Sequence, residues 1–193
     1  MKKECKEFLS HSYKQFTNKK FSMHNVRKLK RHDVAFLCTY HIVCGSFYYY
    51  HGYKFRYKYH KFMRLLCNLL FKCGCPVETK IGEGFQLVHV GGVTVNQGTV
   101  IGKNFKLRQN TTIGNDGINN ENSPVFGDNV NVMAQCVIIG KIHIGDNVII
   151  GAGSVVVKDI PSNSMVVGNP AHIIKKYNVD TGEWEKYENT TCK

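Results

Sequence analysis

The chain has 193 residues, 42% of them hydrophobic, which suits one well-formed core or a core with a substantial appendage and excludes a disordered chain. Its formal charge is +12, yet residues 1–75 hold 16 Lys and Arg against 3 Asp and Glu, whereas residues 76–193 hold 10 against 11. The basic excess is confined to one part, which argues against a nucleic-acid surface over the whole molecule and for two parts with different tasks.

The first segment, "MKKECKEFLSHSYKQFTNKK", has no apolar stretch of the kind a secretory signal requires. Residues 34–50 are apolar but interrupted by His41 and rich in Tyr, too short and too polar for a membrane span, and read as a buried helix. Residues 61–72, "KFMRLLCNLLFK", carry an apolar stripe at helical spacing. The region 1–75 is thus expected to be helical, and its plainest role is to cap one open end of the structure that follows. The basic runs "RKLKR" at 27–31 and "KFRYKYHK" at 54–61 open a second role, contact with anionic lipid at the inner face of a membrane. Interleaved Tyr and Lys without a recognised binding motif do not support a nucleic-acid partner. Eight cysteines without a signal segment point to a reducing, cytoplasmic setting, and Cys73 and Cys75 form only a C-x-C with no second pair at zinc spacing, so no metal site is expected.

From Ile81 onward apolar residues recur every six positions: Ile81, Leu87 and Val93; then, after a two-residue slip, Val95, Ile101, Leu107 and Ile113; then, after an excursion, Phe126, Val132, Ile138, Ile144, Ile150 and Val156. Many are followed by Gly, and the fuller pattern appears as "IGKNF", "FGDNV" and "IGDNV". A period of six matches neither a helix nor an isolated strand. It matches a short strand and a tight turn repeated, three such units closing one triangular coil of about 18 residues that buries its neighbour's face. The polar segment "GNDGINNENSPV" between Ile113 and Phe126 reads as a loop thrown out from one corner. The expected organisation is a basic helical region at 1–75, a β-helix at 76–176 and a polar tail at 177–193 that docks a strand or trails free.

The repeats, the segment "LVHVGGVTVN", the extruded loop and the ending "IGAGSVVVKDIPSNSMVVGNPAHIIKKY" together resemble the left-handed parallel β-helix acyltransferases, and within them the serine acetyltransferases and the related capsular and exopolysaccharide O-acetyltransferases. The resemblance covers residues 76–176. It implies a mainly β fold, a left-handed parallel β-helix of hexapeptide repeats with an α-helical N-terminal region. It also implies a homotrimer with acetyl-CoA, as acyl donor, in a groove between neighbouring β-helices, and a histidine base at the position of His89. Ala134 and Ala152 match positions that meet the pantetheine arm, and Lys175 and Lys176 are placed to meet the CoA phosphates.

Three departures bear on the acceptor. Gly74 stands where serine acetyltransferases have an Asp that orients the histidine, Val88 replaces the Asp just before it, and Asn122 and Ser123 replace the Arg-His pair that holds the serine carboxylate ahead of a Pro. Without a bidentate cation, a free amino acid loses its clamp, and a sugar hydroxyl of a surface polysaccharide or its precursor becomes the better acceptor. Serine O-acetyl transfer and a non-catalytic β-helical scaffold stand as alternatives; a zinc enzyme on the same fold needs three histidines that this spacing does not supply. In the leading reading His89, whose ordinary pKa is about 6.5, takes the acceptor proton. With Gly74 in place of Asp, its orienting partner would be Glu78, Glu83 or a main-chain carbonyl. His143 reads as a surface residue. Gln109 and Asn110, about one coil beyond His89, and Asn122 in the loop are candidates for the acceptor pocket.

Overall fold

The computed structural model describes residues 1–17 and 21–187; residues 188–193 of the expected tail and Lys19 and Lys20 of the basic region lie outside the described residues. Four helices come first: α1 (Lys3–Phe16), α2 (Met23–His32), α3 (Val34–Tyr50) and α4 (Lys54–Phe71). Ser22 and Asp33 are good N-caps because their side-chain oxygens accept otherwise orphaned backbone N–H groups, from Asn25 at 3.2 Å and Phe36 at 2.9 Å. As expected from its sequence, α3 is the buried centre of the group: Phe36 meets Tyr13 and Phe16 of α1 edge-on, and Phe47 packs against Phe8. No helix among the described residues is long and apolar enough to cross a membrane.

The helix α4 turns much of its apolar stripe outward. Its buried residues are His60 and Cys67, while Phe55, Phe62, Leu69 and Leu70 face out. A stripe at helical spacing says that apolar residues share a face, not which way that face turns.

The strands then wind in coils. The first holds β1 (Cys73–Gly74), β2 (Lys80–Ile81) and β3 (Gln86–Leu87), and the second β4 (Val93–Val95), β5 (Val100–Ile101) and β6 (Lys106–Leu107). The third holds β7 (Thr112–Gly114), β8 (Val125–Phe126) and β9 (Asn131–Val132), and the fourth β10 (Val137–Ile139), β11 (His143–Ile144) and β12 (Ile149–Ile150). The last has β13 (Val155–Val156), a bridge from Ile160 to Ile144, and β14 (Ser164–Gly168). Every third strand joins one parallel sheet, giving three faces: A from β1, β4, β7, β10 and β13, B from β2, β5, β8 and β11, and C from β3, β6, β9, β12 and β14. This is a left-handed parallel β-helix, with β1 already paired to β4 at Cys73↔Val93.

All thirteen positions of the six-residue rhythm are buried. Val95, Ile113, Ile138 and Val156 stack on face A, Ile81, Ile101, Phe126 and Ile144 on B, and Leu87, Leu107, Val132, Ile150 and Val166 on C. The Ile-Gly-x-Asn motif now has a physical reading. The apolar residue points in. The Gly lets successive coils approach, since a Cβ at Gly82 would lie 2.6 Å from the Gly102 carbonyl. The Asn turns the corner from B to C in the left-handed region, at Asn104 (φ 55°), Asn129 (58°) and Asn147 (54°), a conformation Asn tolerates better than most residues.

The helices close the open end of the first coil. The Leu87 N–H, which has no coil above it, donates to Thr39 Oγ1 at 3.1 Å, and Ser46 Oγ donates to the Thr79 carbonyl at 2.8 Å. At the C-terminus β14 reverses into β15 (Ala171–Asn178), which pairs antiparallel with β16 (Glu183–Lys186), so the described part of the tail is a hairpin on face C.

Candidate active site

His89 lies two residues beyond the inward Leu87, on the corner leading from face C to face A. The equivalent residues in the next coils, two beyond Leu107, Val132 and Ile150, are Gln109, Ala134 and Ala152. The four therefore form one column along the corner, and Gln135 N–H to Gln109 O (3.1 Å) and Gly153 N–H to Ala134 O (3.0 Å) tie its steps together. Register thus brings His89, Gln109, Ala134 and Ala152 onto one corner.

The corner of the first coil is the widened one. Leu87 and Val95, the residue that stacks on Ile113, are eight apart, whereas Leu107 and Ile113, Val132 and Ile138, and Ile150 and Val156 are six apart. The two-residue slip is the insertion that lifts His89 outward. Gly91 (φ 107°) and Gly92 (φ 63°) absorb it; a Cβ on Gly92 would collide with the Asn110 side chain, while the Gly91 carbonyl accepts the Asn110 N–H at 2.8 Å. His89 is exposed and makes no hydrogen bond or ion pair among the described residues. Beneath it, Gln109 Oε1 is buried without a partner among the described residues, which is costly unless a ligand completes it.

Neither acid expected to orient His89 is free to do so. The Glu78 carboxylate takes the Tyr57 hydroxyl and the Lys61 ammonium, which hold it below the usual carboxylate range against its own burial, and Glu83 faces His11 at 3.7 Å. Both acids are drawn to the helical cap, and their nearness to His89 in sequence does not carry over into space. At Gly74 a Cβ would lie 3.4 Å from Asn68 Oδ1, so a neutral amide from α4 occupies the neighbourhood of the missing carboxylate.

Other expected residues fall elsewhere. Lys175 is opposite Met165 and Lys176 opposite Ser164, at the start of β14 rather than its end, so they sit roughly 10 Å along the strand from the Ala152 corner. The Lys176 ammonium donates to Ser164 Oγ at 2.8 Å, and Lys175 is exposed. Asn122 lies in the loop on the corner between faces A and B. It donates to Asp116 at 2.6 Å, and Asp116, which also accepts the N–H groups of Ile118 and Asn119, is held below its ordinary pKa by these bonds. The Ser123 hydroxyl is within bonding reach of Asn96 Oδ1 and the Asn120 carbonyl. His143 is exposed on face B.

A groove of about 670 Å³ runs along face C, lined by Asn104, Lys106, Asn129, Asn131, Tyr177 and Trp184 among others. The sequence reading passed over Tyr177 and Trp184 because they lie in a tail without repeats; the signal was the chain's one tryptophan.

A bacterial transferase hexapeptide model of six repeats matches residues 123–158. A serine acetyltransferase of Staphylococcus aureus strain N315 is 40% identical over 105 residues, 54% of this chain and 49% of the relative. The proposed colanic acid biosynthesis acetyltransferase WcaB of Escherichia coli K12 is 36% identical over 110 residues, 57% of this chain and 68% of the relative. The chain belongs to the hexapeptide-repeat acyltransferases of the serine acetyltransferase type. It spans about half the length of the serine acetyltransferases it matches. Among solved structures of this family, the Neisseria gonorrhoeae serine acetyltransferase in complex with serine aligns with TM-score 0.69 and 26% identity, covering 89% of this chain and 68% of that one. The soybean enzyme complexed with serine aligns with TM-score 0.65 and 26% identity, covering 77% and 66%.

Proposed function

We propose that the chain transfers an acetyl group from acetyl-CoA to a hydroxyl, with His89 as general base. The observation that carries this is the widened corner with His89 at its head and the small residues Ala134 and Ala152 beneath it. Small side chains along a corner leave room for an extended acyl carrier, so the residues present fit a CoA arm. A neutral alcohol is a poor nucleophile, and an exposed imidazole with no ion pair is free to take its proton. The alkoxide oxygen then attacks the thioester carbonyl, the C–S bond breaks, and the imidazolium returns the proton to the departing thiolate. Gln109 and Asn110 border the acceptor, and Lys175 is the cation left available to phosphate.

The acceptor we favour is a sugar hydroxyl of a polysaccharide or its precursor. The loop residues 115–124 contain two acids and no base, and Asn122 and Ser123 are spent on internal bonds, so nothing there grips a carboxylate. The amide-rich groove with Tyr177 and Trp184 offers the flat apolar face and hydrogen-bonding edge that suit a sugar ring. The serine reading is favoured by the two serine-bound enzymes that share the fold. A homotrimer supports either reading. Within one chain His89 and the extruded loop stand on different corners of the triangle, separated by face A, so a neighbouring copy is the natural source of a loop over His89.

The test is release of free thiol from acetyl-CoA by the purified chain, offered L-serine and a panel of mono- and oligosaccharides in parallel. Turnover on sugar alone supports the proposal, and turnover on serine transfers the function to the second reading. Absence of thiol release with any acceptor leaves a non-catalytic β-helical scaffold.

A further inference from the structure

The sequence of α4, "KFRYKYHKFMRLLCNLLF", contains no acid. Phe55, Phe62 and Leu69 are seven apart, and Tyr59 and Leu70 fall on the same side, so all five share one face. That face is turned to solvent: Phe55 is 93% exposed, Leu70 70%, Leu69 62% and Phe62 58%. Contiguous apolar surface of this kind is uncommon on a protein that meets only water. Lys54 and Lys58 run along one flank of the stripe, where Lys61 is paired with Glu78, and Arg56 runs along the other.

The stripe adjoins a basic groove. A cavity of about 350 Å³ between α2, α3 and α4 is lined by Arg27, Lys30, Arg56, Tyr40, Tyr48 and Tyr59 among others, with no carboxylate in its lining among the described residues. Tyr59 belongs to both stripe and groove. The Lys30 ammonium stands 3.8 Å from the Tyr40 ring centre, and the Arg56 guanidinium donates to the Tyr48 hydroxyl at 3.0 Å. Burial lowers the Lys30 pKa, the mark of a cation held without a counter-charge. Next to it His24, Arg27, Lys28 and Arg31 border a second hollow.

We propose that the outer face of α4 and the adjoining groove form a docking surface for an anionic lipid bilayer. The helix lies in the interface with Phe55, Phe62 and Leu69 among the acyl chains, and a lipid phosphate sits among Arg27, Lys30 and Arg56. Apolar side chains on one face with cations at its flanks are what an interfacial helix requires, and each cation near an anionic surface adds to binding. A second copy fits the face less well, because pairing two α4 helices sets cations against cations with no acid on either helix. The surface is independent of the acetyl-transfer reading, and its test needs no turnover.

The full chain is sedimented with phosphatidylcholine vesicles, with and without phosphatidylglycerol. The expected result is binding to the phosphatidylglycerol vesicles that weakens with added salt. Phe55→Ser with Phe62→Ser, both on the solvent side and safe for folding, lowers the affinity by about tenfold or more for each residue. Arg27→Gln with Lys30→Gln lowers it about fivefold for each cation. No sedimentation with anionic vesicles, or a Phe55→Ser/Phe62→Ser chain that binds like the original, overturns the proposal. So does a smaller solution mass of that variant with unchanged vesicle binding, which would assign the face to a second copy.

Discussion

At the scale of single residues, the proposed chemistry turns on His89 and on the Gly91-Gly92 pair that follows it. Replacing His89 with Ala removes the proposed base from an exposed corner without touching the core, so thiol release should fall about 10²- to 10⁴-fold while the thermal unfolding midpoint stays unchanged. Gly92→Ala is a different kind of change. At φ 63° an alanine is disfavoured, and its methyl group would meet the Asn110 side chain in the next coil. We expect a loss of about 1–2 kcal/mol in urea unfolding, together with lower turnover as His89 shifts. His89 was singled out in the sequence through the resemblance of "LVHVGGVTVN" to the β-helix acyltransferases, since a lone histidine among aliphatics is more often structural. Gln109 was picked out by counting one coil on from His89, and Ala134 and Ala152 through the same resemblance; that the four share one corner came from the register of the strands. The orienting group was not legible, because Glu78 is near in sequence but is claimed by Tyr57 and Lys61 of α4.

At the scale of elements, polar bonds tie the helical cap to the first coil of the β-helix, and one of them lies just before the site. The Leu87 N–H of β3 donates to Thr39 Oγ1 of α3, a buried bond. Thr39→Val keeps the shape and strands that donor, which should cost about 1–3 kcal/mol and speed hydrogen exchange at Leu87. Within the cap, His41 and His60 meet through their Nδ1 atoms at 3.1 Å, and burial, followed by the charge of Lys30, pushes their pKa values down to about 3 and about 4. Both rings are neutral in the fold but protonate near pH 6.5 when unfolded. The unfolded state thus binds more protons below about pH 6.5, and stability falls from there toward pH 4 by roughly 1 kcal/mol per pH unit for each ring. Urea unfolding at pH 7.5 and pH 5 should show the loss, and a His41→Phe/His60→Phe chain should show much less of it. The buried helix α3 was readable from its apolar run. The turn of α4 toward solvent was not, because an apolar stripe is the same string of letters whichever side it covers.

At the scale of the whole molecule, the two interruptions of the six-residue rhythm fall on different corners. The slip after Leu87 widens the corner between faces C and A, and the excursion after Ile113 opens the corner between A and B. Both interruptions were visible as breaks in spacing, but their separation by a full face emerged only once the coils were closed. In the trimer proposed above, the loop of one copy completes the corner of the next, because closed assemblies set non-equivalent surfaces of neighbouring subunits together. Two inactive chains should then repair each other. One carries His89→Ala; the other lacks residues 116–122, which returns Ile113 and Phe126 to the six-residue spacing of the other coils. Unfolded and refolded together in equal amounts, they should regain about a quarter of the original thiol release, the chance that a mixed neighbour pair joins an intact histidine to an intact loop. Each refolded alone should stay silent. If the chain lacking the loop instead keeps its activity and the mixture gives about half of the original release, His89 works within a single coil stack and the loop has no part in the chemistry; if the mixture is as silent as each chain alone, the loop of one copy does not complete the corner of the next.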